Sequence, residues 1–131
     1  MEFKKRGTLL VPTKPVIFEC TCAVERQQIE GGKMYLYLNL NESQKNWIHQ
    51  VHKASNEHLL GKVMNPLQDN IIKVKVPYKY NKVTCKISGN KVVQELIKGD
   101  KVTVVVEYCG VWSVNNYCGP SWKLFSLASC Q

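Results

Sequence analysis

Two tryptophans ten residues apart, Trp112 and Trp122, frame the densest run of contact chemistry in this chain. Tyr117 and Lys123 stand with them, and Asn115-Asn116-Tyr117-Cys118-Gly119-Pro120 supplies residue types that favour tight turns and positive φ. A second cluster lies upstream, where Lys73, Lys75, Tyr78, Lys79, Tyr80, Lys82 and Lys86 interleave cations with rings. A third is Tyr35 and Tyr37, alternating along one short run. Flat rings mixed with flexible ammonium groups suit one chemistry: stacking on exposed bases combined with attraction to phosphates. Each feature also has a plainer reading. Tyrosines suit strands, a lysine row is an ordinary solvated face, and tryptophans fill cores.

The charge balance favours the first reading. Eighteen Lys+Arg against ten Asp+Glu give a net charge of +8 at pH 7, and the cations are nearly all lysine. Lysine attracts phosphate as a point charge rather than reading it through a bidentate fork. Nucleic acid and anionic membrane are the physical candidates for such a field. No apolar run approaches the roughly 18 residues of a membrane-spanning helix. The basic start, Met1 to Gly7, is followed by a stretch broken by Pro12, Lys14 and Pro15, unlike a secretory signal, so an intracellular protein is expected.

Catalytic and metal chemistry find little footing. There is no glycine-rich phosphate loop, no His-Glu-x-x-His and no Gly-x-Ser-x-Gly, and the carboxylates are few and scattered. The six cysteines, at 20, 22, 85, 109, 118 and 130, lack the spacing of a zinc knuckle. Without a secretory signal they read as reduced thiols acting as small hydrophobes. His49, His52 and His58 fall on one expected helix, with His49 and His52 on a shared face. No enzyme, metal or cofactor is expected.

The elements that must position the clusters follow from periodicity. Residues 1–15 read as a mobile, proline-punctuated lead-in, and one domain covers residues 16–131. Val16, Phe18, Cys20, Cys22 and Val24 alternate along a first strand; Gly31-Gly32 turns the chain. A second strand, Lys33 to Asn39, buries Met34, Leu36 and Leu38 and turns Tyr35 and Tyr37 outward. Asn41 with Gln44 forms a capping box for a helix whose Trp47, Ile48, Val51 and Ser55 share one side. Two lysine-bearing strands follow over 71–87, with Ile72, Val74, Val76 and then Val83, Cys85 and Ile87 inward. Asn90 to Lys98 reads as a short amphipathic turn or helix with Val92, Val93, Leu96 and Ile97 inward. Val102, Val104 and Val106 then open the last hairpin, whose return is Ser121 to Phe125.

The expected fold is therefore all-β with one inserted helix: a small five- or six-stranded Greek-key barrel of the oligonucleotide-binding type, the helix plugging one end. Phe18, Leu36, Leu38, Val74, Val83, Val104 and Val106 are its expected core. The run Lys98-Gly99-Asp100-Lys101-Val102, then Cys109-Gly110-Val111-Trp112, then Gly119-Pro120-Ser121-Trp122-Lys123, resembles the C-terminal end of single-stranded-DNA-binding proteins of some large DNA viruses. The resemblance covers about 30 residues. It implies a barrel that coats single strands in replication or recombination, with Trp112, Trp122 and Lys123 in contact. It also implies a host nucleus or cytoplasm as the location. No tail of the kind that docks partner proteins follows in the sequence at hand. Single-stranded DNA is the expected partner, RNA the other substrate this chemistry admits, and further copies of the chain or replication proteins the expected protein partners. The competing expectation, from another class, is a protein-interaction module that docks through the Trp112–Trp122 hairpin.

Overall fold

The structure, a computed structural model, describes residues 1–130. Five strands make the body: β3 (Ile17–Glu30), β4 (Lys33–Asn39), β7 (Ile71–Val76), β11 (Lys101–Val114) and β12 (Tyr117–Ser129). The order β11-β3-β4-β7-β12, with β12 pairing back onto β11, closes them into a barrel-like ring. Every pairing in the ring is antiparallel except one, where β7 meets β12 in parallel at Lys75 and Lys123.

Period-2 alternation explains the core. Val24, Met34, Leu36, Leu38, Ile72, Val74, Val76, Val102, Val104, Val106, Trp122 and Leu124 all point inward and are buried. Of the expected core, Phe18 and Val83 are only partly buried, packed against its edge.

Helix α1 (Glu42–Ala54) fills one mouth of the ring. Its capping box is present: Gln44 N–H donates to Asn41 Oδ1 at 2.8 Å and Asn41 N–H donates to Gln44 Oε1 at 3.0 Å. Gln44 also donates to the Thr21 carbonyl on β3 at 2.9 Å, tying the cap to the barrel. Ile48, Val51, His52 and Ser55 face inward. Between α1 and β7 run two short strands, β5 (Lys62–Val63) against β12 and β6 (Leu67–Gln68) against β7. Beyond β7 a separate hairpin, β8 (Tyr78–Lys79) and β9 (Lys82–Val83), leads to β10 (Lys86–Ser88), which lies parallel to β12.

Three expectations are corrected. The lead-in is a hairpin, β1 (Phe3–Arg6) and β2 (Leu9–Pro12), and Leu9 and Leu10 of β2 pair with Trp112 and Val111 of β11. Its apolar Leu9-Leu10-Val11 run completes the edge that β11 leaves open where β3 ends. The 90–98 segment forms only a 3-10 turn, Val93–Glu95. Residues three apart eclipse in that geometry, so Val93 and Leu96 are buried while Val92 and Ile97 are exposed. The last turn is the pair Asn115-Asn116, with Asn115 at φ 56°, so Cys118, Gly119 and Pro120 are buried strand residues and not a turn.

The β2–β11 contact depends on Gly110. Its φ is +105°, and a Cβ there would collide with the Leu10 carbonyl oxygen. Gly110→Ala is expected to cost upwards of about 1 kcal/mol, read as a lower urea midpoint, because both the backbone angle and the space exclude a side chain. An unchanged midpoint would show that β2 is dispensable.

Candidate nucleic-acid interface

Strand parity puts most of the candidate residues on one surface. On β4, Tyr35 and Tyr37 point outward beside Lys75 and Lys73 of β7, their direct cross-strand neighbours. Lys75 pairs in turn with Lys123 of β12. Along β12 the inward positions are Cys118, Pro120, Trp122 and Leu124, all buried, so Tyr117, Gly119, Ser121 and Lys123 face out. Trp112 pairs with Gly119 and shares its face; a side chain on Gly119 would come within 3.2 Å of the Trp112 indole nitrogen. A track of rings and cations thus runs from Tyr37 across β7 and β12 to the Asn115-Asn116 turn.

The geometry divides the labour along this track. Tyr37 is buried: the Arg26 guanidinium lies 3.8 Å above its ring centroid and its hydroxyl donates to Glu30 at 3.4 Å. It cannot stack on a base, contrary to expectation, because Arg26 of β3 already occupies its face. Lys73 pairs with Glu30 at 2.9 Å and sits 4.2 Å from the Tyr35 centroid. That ion pair holds the Glu30 carboxyl below its usual range. Lys73 is therefore held between Glu30 and the two tyrosine rings, at a partly exposed position. Lys123 pairs with Glu107 at 3.3 Å at an exposed position, a link weak enough to exchange for a phosphate. Lys75 is exposed with no ion pair among the described residues. Beside Lys75 and Lys123 lies Cys109, whose thiol burial pushes its pKa up, so it is no ready nucleophile.

Trp122 is the main correction. It is 2% exposed, and its Nε1–H donates to His52 Nε2 at 2.9 Å. Tyr108 packs against it at 5.0 Å and Trp47 at 6.0 Å. Ser55 and Tyr108 share a hydroxyl–hydroxyl hydrogen bond at 2.7 Å, and the Ser55 hydroxyl also lies 3.3 Å from the Val51 carbonyl. This network bolts α1 to the ring. Parity around Trp122 also reveals a ring the sequence reading missed. With Trp122 and Leu124 inside, Phe125 is turned out at a bulge and is 57% exposed, two residues beyond Lys123.

No family model matches this chain, and no curated protein or solved structure was found that matches it.

The remaining candidates lie at the two ends of the track. Tyr117 is 46% exposed beside the last turn, with Lys62 of β5 5.8 Å from its ring, a second cation that sequence spacing could not connect to it. At the other end the β8–β9 hairpin presents Lys79, Lys82 and Tyr80. Tyr80 and Asn81 both adopt positive φ, and Tyr80 is almost wholly exposed. Tyr78 is partly buried against the core's edge and donates to Asn81 at 3.3 Å, so it braces the turn while part of its ring stays open to solvent. Lys86 is exposed on β10, where it pairs with Ser126 of β12, the residue after Phe125. Among the described residues the cysteines are unbonded, no His, Cys, Asp or Glu cluster forms a metal site, and no helix is long and apolar enough to cross a membrane.

Proposed function

We propose that this protein binds single-stranded nucleic acid without chemical turnover, across the outer face of β4, β7 and β12. The observation that carries this reading is the gathering of Tyr35, Phe125, Trp112 and Tyr117 with Lys75, Lys123 and Lys62 on one surface, from residues far apart in the chain. Rings accept any base by stacking, and lysines take the phosphates between them. Counted in chain order, β4 and β7 are the second and third strands of the ring. In oligonucleotide-binding barrels that face, with the loops between strands one and two and between four and five, is where single strands lie. Here those loops are the Gly31-Gly32 and Asn115-Asn116 turns. An oligonucleotide-binding barrel is thus the architecture we assign, with its helix between the second and third strands. The C-terminal resemblance to viral single-stranded-DNA-binding proteins points to DNA, and to replication or recombination. Docking of a protein partner on the last hairpin has less to stand on, since one of its two indoles is core.

Fluorescence anisotropy with a short labelled single strand tests the proposal. Affinity should fall with salt by a slope of about −0.7 per phosphate contacted, and Lys75→Ala should flatten that slope by one such contact. Tyr35→Ala or Phe125→Ala should weaken binding by about 1–3 kcal/mol and leave the slope alone. Duplex should bind less tightly, its base faces being hidden, and an RNA competitor reports the preferred sugar. Equal affinity for duplex and single strand, or unaltered affinity after ring removal, overturns the reading.

A further inference from the structure

His52 has a polar atom that the helix–barrel network does not use. An indole N–H can only donate, so His52 Nε2, which accepts from Trp122, carries no proton; in the neutral ring the proton is on Nδ1. Burial keeps the ring neutral, with its pKa lowered to about 4. The residue is only 7% exposed, yet its side chain makes no other hydrogen bond among the described residues. It lines a cavity of about 420 Å³, within the range of about 300–1,000 Å³ typical of small-molecule sites.

The lining states what the cavity suits. Leu59, Val63 and Pro120 are apolar walls, and Asn56 and Asn65 add carboxamides to the same lining as His52. Asn65 Oδ1 already accepts from Leu67 N–H at 2.9 Å, which leaves its NH2 to donate. No carboxylate lines the space, so it offers a cation no anionic ligand; His49 and Gln50 complete its polar lining. Lys53 lies at the rim, but apolar walls do not suit a bare phosphate. A flat heterocycle with apolar faces and acceptors on its edge fits both parts. The position agrees. Lys62 of β5 faces the Tyr117 ring on the outer track, and the next residue, Val63, lines the cavity. A strand that follows the track past Tyr117 meets the cavity across one short strand.

We propose that this cavity is a subsite for one unpaired nucleobase, which accepts a hydrogen bond from His52 Nδ1 while Leu59, Val63 and Pro120 cover its faces. The inference rests on the single-strand reading above and adds a base-reading position to a site otherwise indifferent to sequence.

The indole N–H signals of Trp112 and Trp122 in the 15N-labelled full chain separate the two claims. A base that accepts from Nδ1 makes Nε2 a stronger acceptor, so the Trp122 signal should move saturably with at least one of the four deoxynucleosides. Inorganic phosphate should leave it in place. Val63→Phe, which fills the cavity from a half-exposed position, should abolish that response, while a single-stranded oligonucleotide still moves Trp112. An oligonucleotide that moves Trp112 but never Trp122 overturns the subsite and leaves the outer face standing. One that moves neither overturns both. A Trp122 response to phosphate equal to that with nucleosides, or one that survives Val63→Phe, also overturns the subsite.

Discussion

Trp122→Ala is expected to cost about 3–5 kcal/mol of folding stability, whereas Trp112→Ala should leave the unfolding midpoint near its place and weaken single-strand binding. The two indoles sit on the same hairpin, and composition treats them alike. Their surroundings differ. Trp122 is enclosed by Trp47, Tyr108 and His52, and its removal leaves both a cavity and a buried imidazole acceptor without its donor. Domains of this size are stable by about 5–15 kcal/mol, so the loss would be roughly a fifth or more of the total. Trp112 lies across Gly119 on the outer face, partly exposed, where its ring is available to a base. Urea unfolding and anisotropy on both variants read the contrast. If Trp112→Ala unfolds the protein while Trp122→Ala only weakens binding, the assignment of inside and outside on β12 is wrong.

Acidification is expected to remove roughly 3 kcal/mol of stability through His52 alone. Burial lowers its folded pKa from the ordinary 6.5 to about 4, so the imidazole in the unfolded chain takes up a proton first. Between those two values unfolding binds a proton. Stability therefore falls as the pH falls through this window, is complete above the upper value, and changes no further from this group below the lower one. Burial is the main reason the folded state resists protonation, with the neighbouring His49 adding to it, and a proton on Nε2 would also face the Trp122 N–H donor. Carboxylates titrate in the same region, Glu30 and Asp100 being held low by Lys73 and Lys91. The comparison that isolates the histidine is His52→Gln, which can still accept from the indole but does not titrate. Its stability should lack the His52 share of the acid loss. Equal acid loss in both proteins would mean that the His52 ring is not buried neutral.

Much of the architecture is legible from local pattern. Alternation along β3, β4, β7 and β11 appears in Cys22 and Val24, in Met34, Leu36 and Leu38, in Ile72, Val74 and Val76, and in Val102, Val104 and Val106, because a strand buried on one face repeats every two residues. The Asn41–Gln44 box announces α1 for an equally local reason: it satisfies backbone groups within one turn. Short segments read less well. Cys118-Gly119-Pro120 has turn-forming types, yet pairing with Val111, Trp112 and Ser113 holds it extended. The first twelve residues look like a tail until the edge of β11 that they cover is known.

Which residues share a face was the sequence's own contribution to the site: Tyr35 with Tyr37, Lys73 with Lys75, and the inward valines, all set by the two-residue repeat of one strand. Which way β12 faces, and what each outward group meets, was decided only in the folded ring. There Trp122 turns in to His52 and Phe125 turns out, Arg26 covers Tyr37, and Glu30 holds Lys73. Lys75 meets Lys123 across the β7–β12 pair, 48 positions away in the chain. Such contacts depend on register between distant strands, and register is fixed by the energy of the whole core, not by the residues that end up touching.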